Sequence, residues 1–460
     1  PEVNHPRALQ QGIGSAGALH GQRMFEHLET DGSQLKNVHR SLVGGLTAHR
    51  LFAGARCTPA YAVGFGAFGP LLLGYVQWLH RAARRAGHDR LYFLARDGRI
   101  MLDAYRAFWG ADALPGTYLL ASRRLLNFPA IGERLTNRDV DFLTQTSWPI
   151  PVGEYFARLA VPEIDRAAGE LLGRMGLDPE EPGGRHGAEL RAVFWQLEKV
   201  LVAVAADERR RLLEYLEMAG LLAATHPAVV DIGWHGSLQR AVHRVLGYSR
   251  LERRLGGLYF GLHPQRPLDP AEPMQAFVDG TVPDDADLYE RLVVGSVAAL
   301  EFCFTRPEGT VVGLERQSVG DSARAVGSGA LIGRHAADRL PVDDAEVLGQ
   351  VQRGALDFVA DFRRATDGMP GTVSILERDV AAESMALLLS APTVLAADAL
   401  GRRHHSDGFG TGVAWKLIGA PGHEAEWYAR DLEQLTGELA GAAWRAGYVA
   451  NARAVGLPAS

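Results

Sequence analysis

Two strand–turn–helix stretches constrain the fold of this chain more than any other feature of its sequence. The first is Leu91-Tyr-Phe-Leu-Ala-Arg-Asp-Gly-Arg99, and the second is Val229-Val-Asp-Ile-Gly-Trp-His-Gly-Ser237, which continues in an amphipathic run to Leu246. In each, an apolar run typical of a buried strand ends in polar residues and glycine, and a helical period follows. Such turns direct backbone N–H groups and a helix N-terminus toward one point, an arrangement that suits a phosphate group.

The alternation of strands and helices predicts an α/β protein with a parallel, Rossmann-like sheet, a helical insertion and helical N- and C-terminal extensions. Strands are expected at Leu91–Ala95, Tyr118–Ala121, Ala228–Ile232 and Leu255–Gly261, with an edge strand at Val311–Leu314. The expected parts are a helical extension over residues 1–58, an α/β catalytic core over 59–136 and 225–318, a helical insertion or cap over 137–224, and a helical C-terminal domain over 335–460.

The segments between these parts have their own signatures. Residues 262–287 are rich in prolines and acids and predict loops, and Gly320–Gly333 is the best linker candidate. Tyr61–Leu79 carries no charge and has nearly the length of a membrane span. Its glycines and Pro70, with basic residues at its end, instead favour a buried helix that runs to Arg85. We therefore expect no membrane span.

Composition narrows the class of protein. A net charge of -6 argues against a general nucleic-acid binder, which is usually basic. Cys57 and Cys303, the two cysteines, are far apart and form no metal-binding or redox motif, which fits a cytoplasmic location.

The turn after the Ala228–Ile232 strand provides the first group of candidate site residues. Asp231 ends an apolar strand, where a carboxylate is unfavourable unless it is paired with a metal, a hydroxyl or an arginine. Ligands of open α/β sheets bind beyond the carboxyl ends of strands, where Asp231 points. His235 is a candidate phosphate donor or base. The predicted phosphate-binding residues of this turn are Gly233, Trp234, Gly236 and Ser237.

The two preceding strands also end in residues that suit a phosphate group. Gly98 lets the backbone approach a ligand, and Arg96 and Arg99 suit bidentate recognition of phosphate oxygens, with Asp97 between them. Ser122-Arg123-Arg124 follows the next strand and repeats the pattern. Glu301 lies in an apolar run, where an unpaired carboxylate is unfavourable, and is a candidate for the acceptor side of the same site.

These stretches resemble, over roughly residues 59–315, bacterial haloacid-dehalogenase-like proteins that are associated with polysaccharide biosynthesis. That superfamily attacks phosphate with an aspartate of a D-x-D turn and places a serine or threonine after the next strand. Ser122 matches the second element. The first is incomplete, because Ala95 and Arg99 stand two residues to either side of Asp97.

The site motifs look closer to those of type I phosphoribosyltransferases. That resemblance implies that Asp231 holds the ribose hydroxyls, that Gly236 and Ser237 wrap the 5-phosphate, and that the Arg96–Arg99 loop cradles pyrophosphate. It also implies Mg²⁺, with Asp231 as a ligand. Only one acid ends this strand, since Ile232 follows Asp231, whereas the family usually has a pair.

The sequence therefore predicts a phosphoribosyltransferase-type glycosyltransferase with a phosphorylated small-molecule donor and a sugar or natural-product acceptor. Arginines and magnesium would stabilise the leaving pyrophosphate, and Asp97 or His235 would act as the base. Two alternatives stay open: a haloacid-dehalogenase-like phosphatase or phosphotransferase that acts on a phosphorylated sugar, and a non-catalytic protein that binds phosphometabolites.

Overall fold

The structure, a computed structural model, describes residues 32–52, 57–146, 150–248, 254–267, 273–316, 331–405, 409, 415–417 and 443–454. Most of the predicted linker Gly320–Gly333 lies outside these residues. The described part of the chain is a mixed α/β fold with an all-parallel, Rossmann-like sheet, so the predicted fold class is confirmed.

Five parallel strands form the central sheet. They are β1 (Arg90–Leu94), β2 (Gly116–Leu119), β3 (Pro227–Trp234), β4 (Gly256–Leu262) and β5 (Met274–Asp279). Their spatial order is β2-β1-β3-β4-β5. The strand order reverses at β1, because the chain goes from β1 to β2 on one side and then returns to β3 on the other. Ligands of doubly wound sheets bind outside the carboxyl ends of the strands at such a point.

Two strand expectations need correction. β5 lies in a segment that the sequence predicted as loop. The strand was missed because only Phe277 and Val278 of this edge strand are buried and because prolines surround it. Val311–Leu314 is a strand, but it does not extend the main sheet. It belongs to β6 (Val311–Arg316), which pairs antiparallel with β7 (Leu331–His335). The remaining strands are the short pair β8 (His404–His405) and β9 (Trp415–Lys416).

Helices surround the sheet and form the insertion. In chain order they are α1 (Gly32–Phe52), α2 (Pro59–Val63), α3 (Gly69–Arg85), α4 (Gly98–Trp109), α5 (Arg123–Asn127), α6 (Asn137–Thr144), α7 (Glu154–Ala157), α8 (Pro162–Met175), α9 (Gly187–Gln196), α10 (Glu198–Met218), α11 (Ser237–Tyr248), α12 (Ala286–Leu292), α13 (Val297–Phe304), α14 (Val342–Ala365), α15 (Gly371–Ser374), α16 (Arg378–Ser390), α17 (Val394–Gly401) and α18 (Arg445–Ala454).

Both faces of the sheet are covered because alternate side chains of buried parallel strands point to opposite sides. Leu91, Phe93 and Val230 pack with α3, α4, α13, α14, α16 and α17 into one large core. Tyr92 and Val229 point to the other face and pack with α5, α10 and α11. The C-terminal helices therefore share a core with the sheet.

The uncharged stretch is part of the first of these cores. A π-helical turn, Gly64–Phe68, joins α2 to α3, and the combined helix Pro59–Arg85 is long and apolar enough to cross a membrane. Of its most apolar window 83% is buried inside the protein. Within the described residues, the bent pair Gly371–Ser390 and Val394–Gly401 also passes this test if it is taken as one span. The Pro59–Arg85 helix packs on the sheet, as the sequence predicts.

The insertion has a separate core, built from residues between Phe128 and Ala205 together with Phe409 of the C-terminal part. Helix α10 joins it to the sheet, because Leu201 and Ala205 pack in the insertion whereas Leu212 and Leu216 pack against the sheet. The insertion is thus fixed to the sheet by one continuous helix.

Candidate functional site

A polar pocket lies where β2, β1 and β3 end, at the point where the strand order reverses. Its cavity has a volume of about 130 Å³. It is lined by Ala95, Arg96, Asp97, Ala121, Ser122, Arg123, Asp231, Ile232, Gly233, Trp234, Ser237, Leu238, Glu301, Thr305 and Thr310. Pockets for drug-sized ligands have volumes of roughly 300–1,000 Å³. This cavity is smaller, so it suits a compact polar group, and the rest of a larger ligand would lie outside it. Most of the residues predicted from the three strand ends meet here.

The β3–α11 turn forms one wall of the pocket with an unusual backbone. Gly233, Trp234 and Gly236 have φ angles of +112°, +74° and +65°. A Cβ on Gly233 would lie 2.2 Å from the carbonyl oxygen of Gly261, so only glycine fits there. Left-handed residues in a tight turn produce the concave array of N–H groups that binds anions, and α11 begins directly after it.

Asp231 is buried at the base of the pocket. Burial, together with the nearby Glu301 carboxylate, raises the pKa of its carboxyl group to about 7. The backbone N–H groups of Ile232 and Gly233 and the guanidinium of Arg123 act in the opposite direction. A carboxyl group that titrates near neutrality at a strand end is typical of functional sites.

Glu301 reaches the pocket from α13, near the Asp231 carboxylate. The indole Nε1 of Trp234 donates a hydrogen bond of 2.6 Å to Glu301 Oε1. A hydrogen bond to an ionised acceptor is short and strong, so Trp234 fixes the orientation of this carboxylate. Glu301 therefore lines the same pocket as Asp231, and its role toward an acceptor stays a prediction.

The β1–α4 turn contributes Arg96 and Asp97 to the pocket, but not Gly98 or Arg99. Arg96 Nη1 donates to the carbonyl oxygen of Glu308, 3.3 Å away. A Cβ on Gly98 would lie 2.7 Å from the carbonyl carbon of Phe93, so this glycine lets α4 pack closely on β1. Arg99 lies outside the lining, where it pairs with Asp103 at 3.0 Å.

The three residues after β2 have three different environments. Ser122 Oγ accepts from the N–H of Leu125 at 2.8 Å and donates to the carbonyl oxygen of Val311 at 2.6 Å, so it caps α5 beside the pocket. Arg123 is exposed and lines the pocket. Arg124 is fully buried and points away from the pocket, with Nη1 and Nη2 donating to Glu208 at 2.7 and 2.8 Å.

The structure thus places Arg124 in a structural ion pair and not at a phosphate. We expect Arg124→Met to lower the free energy of unfolding by about 3–5 kcal/mol, because removing one partner of a buried pair leaves the other uncompensated. Chemical denaturation measures this loss. The exposed pair Arg316–Glu214 offers the matched control, since Arg316→Met should change stability by less than about 1 kcal/mol. Equal effects of the two substitutions would contradict the structural role of Arg124.

His235 and Gly236 also lie outside the pocket lining. His235 is exposed, and its ring centroid lies 5.0 Å from that of His263. A Cβ on Gly236 would lie 2.4 Å from the terminal carbon of Met274, so this glycine lets the turn approach β5. The sequence predicted both residues in contact with the ligand, but neither lines the pocket of the free protein.

The far wall of the pocket contains residues that the sequence did not single out. Thr305 and Thr310 belong to the segment after α13, which ends no strand of the main sheet. Asp338 holds Thr310 through its N–H and its hydroxyl, at 2.7 and 2.6 Å. Gln352 Nε2 donates to the carbonyl oxygen of Thr305 at 2.8 Å. The sequence Thr305-Arg-Pro-Glu-Gly-Thr310 has no local pattern that points to this role.

Among the described residues, no group of three or more histidine, cysteine, aspartate or glutamate side chains is arranged to hold a metal ion. Asp97, Asp231 and Glu301 nevertheless line one pocket. Magnesium is commonly held by one or two carboxylates together with phosphates of the substrate. The donor set therefore fits a Mg²⁺ ion that binds together with a phosphorylated ligand.

No model of a protein family matches this chain, and no curated protein matches its sequence significantly.

Proposed function

We propose that this protein is a phosphoribosyltransferase-type glycosyltransferase that moves a 5-phosphoribosyl group from phosphoribosyl pyrophosphate to a hydroxyl of a sugar, glycan or natural-product acceptor. The observation that carries this proposal is the left-handed turn Gly233–Ser237, which adjoins a buried acid, Asp231, in a pocket that also contains Arg96 and Arg123. An anion-binding turn, an acid for sugar hydroxyls and two guanidinium groups are what a sugar phosphate with a second phosphate requires.

Different walls of the pocket would bind different parts of the donor. The turn residues that line the pocket, Gly233, Trp234 and Ser237, would bind the 5-phosphate, since the N–H groups of the turn and the start of α11 favour an anion. Asp231 would accept hydrogen bonds from the ribose hydroxyls. Arg96 and Arg123 would hold pyrophosphate. Asp231 would be a ligand of Mg²⁺, which would neutralise charge on the leaving group.

In the reaction, the bond from the ribosyl carbon to pyrophosphate breaks and the electron pair leaves with pyrophosphate. A bond from this carbon to the acceptor oxygen forms, and the acceptor proton passes to a carboxylate. Glu301 is well placed for this proton because Trp234 fixes it in the pocket wall. Asp97, on the opposite wall, is the second candidate base. Catalysis would consist mainly of positioning and electrostatic stabilisation.

The test is thermal stabilisation by phosphoribosyl pyrophosphate with Mg²⁺, beside ribose 5-phosphate, pyrophosphate and simple sugar phosphates. A ligand at 100 times its dissociation constant adds about 2.7 kcal/mol. Arg123→Gln should weaken this binding about tenfold or more, because a charge-assisted contact to phosphate is lost. Arg353→Gln is the matched control, since Arg353 is an exposed arginine on α14, outside the pocket.

Turnover distinguishes the proposal from its alternatives. A transferase releases pyrophosphate only when an acceptor is present. The haloacid-dehalogenase-like phosphatase is favoured by one observation, the presence of both Asp97 and Ser122 in the pocket. It predicts release of inorganic phosphate that Asp97→Asn abolishes. Binding of phosphoribosyl pyrophosphate without turnover, over a broad acceptor panel, would indicate a phosphometabolite-binding protein.

A further inference from the structure

Outside the pocket, on the side of β4, three basic side chains gather around the β3–α11 turn. We call His235, Arg240 and His263 the outer rim. The rings of His235 and His263 lie 5.0 Å apart, and the two residues are linked because the N–H of His263 donates to the carbonyl oxygen of Trp234 at 2.7 Å. His263 Nδ1 accepts from the N–H of Gln265 at 3.1 Å. The neutral His263 ring therefore carries its proton on Nε2, where it serves as a donor.

Arg240 is the charged member of the outer rim. It lies in the first turn of α11, and its Nη1 lies 3.5 Å from the Cβ position of Gly236. This nitrogen is buried and has no hydrogen-bond partner among the described residues. Buried guanidinium nitrogens are normally hydrogen-bonded, so Arg240 keeps a donor that no described residue uses.

The neighbouring acids do not neutralise the outer rim. Asp279, at the end of β5, is engaged by Arg266 through two hydrogen bonds of 3.0 and 2.9 Å. Glu301 is held by Trp234 on the pocket side. His235 is exposed, but partial desolvation of its ring lowers its pKa, and three basic neighbours, His263, Arg123 and Arg240, lower the pKa further. The region around His235 is therefore electropositive, and an anion would relieve that repulsion.

We propose that the outer rim binds an oxyanion of the acceptor, so that the acceptor is an acidic or phosphorylated sugar and not a neutral one. This inference rests on the proposed function, which places the donor in the pocket. Arg123 lines the pocket and also acts on His235, so the two subsites adjoin. An acceptor whose carboxylate or phosphate lies on the outer rim would present a neighbouring hydroxyl to the ribosyl carbon.

The experiment measures binding of glucuronate, glucose 6-phosphate and glucose to the full-length chain by calorimetry and thermal shift. The two anionic sugars separate a carboxylate from a phosphate preference, and glucose is the neutral comparison. Arg240→Gln removes the charge of the outer rim, and Arg353→Gln is the matched control. We expect at least one anionic sugar to bind ten times or more tightly than glucose, and Arg240→Gln to abolish that difference while Arg353→Gln preserves it.

Phosphoribosyl pyrophosphate with Mg²⁺ is titrated into the same proteins, and its affinity should agree within about threefold among them. A loss of donor affinity in Arg240→Gln as large as the loss for the anionic sugar would overturn the proposal, because the outer rim would then hold a phosphate of the donor. Equal affinity for glucose and for both anionic sugars would overturn it as well. If the donor fails to bind to any protein while the anionic sugars bind as expected, the proposed donor is wrong and the outer rim remains an oxyanion site.

Discussion

Replacement of Asp231 by asparagine is expected to make the free protein more stable above pH 7 and to weaken its binding of phosphoribosyl pyrophosphate. The carboxylate is buried, and its pKa in the folded protein is raised to about 7 from an ordinary value of 3.8. Folding therefore favours the protonated form. The wild type has the full stability from this group below its unfolded pKa and loses it as the pH rises toward 7.

The loss corresponds to at most about 4 kcal/mol, since each pH unit between the two pKa values is worth about 1.4 kcal/mol. Asparagine has nearly the same shape and no charge. Its advantage over the wild type should therefore grow from about pH 4 to pH 7 and stay constant above. Denaturation midpoints of the two proteins at several pH values measure it. A constant difference across this range would mean that Asp231 is not desolvated in the folded state.

Binding should change in the opposite direction. Hydrogen bonds to a charged group contribute about 1.5–3 kcal/mol, so Asp231→Asn should weaken the donor roughly 10- to 150-fold. Gain of stability with loss of binding is the mark of a residue retained for function. A variant that is more stable and binds the donor as tightly as the wild type would remove Asp231 from the proposed ribose contact.

Replacement of Gly233 by alanine is expected to destabilise the protein by about 3–5 kcal/mol. Its φ of +112° is strained for any residue with a Cβ, and the added carbon would lie 2.2 Å from the Gly261 carbonyl oxygen. The backbone of β3 or β4 would have to move, and the phosphate-binding turn would move with it. Chemical denaturation and donor binding of the same variant measure both effects.

Gly349→Ala provides the control for this substitution. Gly349 is exposed within α14, and nothing lies within 4 Å of the position of an added Cβ. Alanine should stabilise that helix by about 0.5–1 kcal/mol. If Gly233→Ala were as benign as this control, the turn would not have the left-handed geometry on which the phosphate site depends.

Strands β1 and β3, which carry most of the site, were predictable because they are buried on both faces and read as continuous apolar runs. Two details were not. β2 begins at Gly116 and ends at Leu119, because the N–H of Leu120 donates to the hydroxyl of Tyr215 in α10 and not to a neighbouring strand. β5 has one buried pair and looks like a loop. Contacts distant in sequence decide both.

The candidate site, like the fold, was only partly predictable from the sequence. Residues at the ends of parallel strands, such as Asp97 after β1 and Asp231 in β3, can be placed at one edge from sequence because parallel strands end at the same edge of the sheet. Arg123 and Arg124 are adjacent and chemically alike, and only the position of Glu208 in α10 decides that the second of them is buried. Thr305 reaches the pocket from outside the sheet, and no local pattern predicts that.

Helix α10 has a consequence for how ligands reach the pocket. Its 21 residues form a rod of about 31 Å, with one end embedded in the insertion and the other against the sheet. A swing of the insertion as a rigid flap would have to bend this rod or pull one end out of its core. The insertion therefore acts as a buttress of the sheet and not as a hinged lid over the pocket.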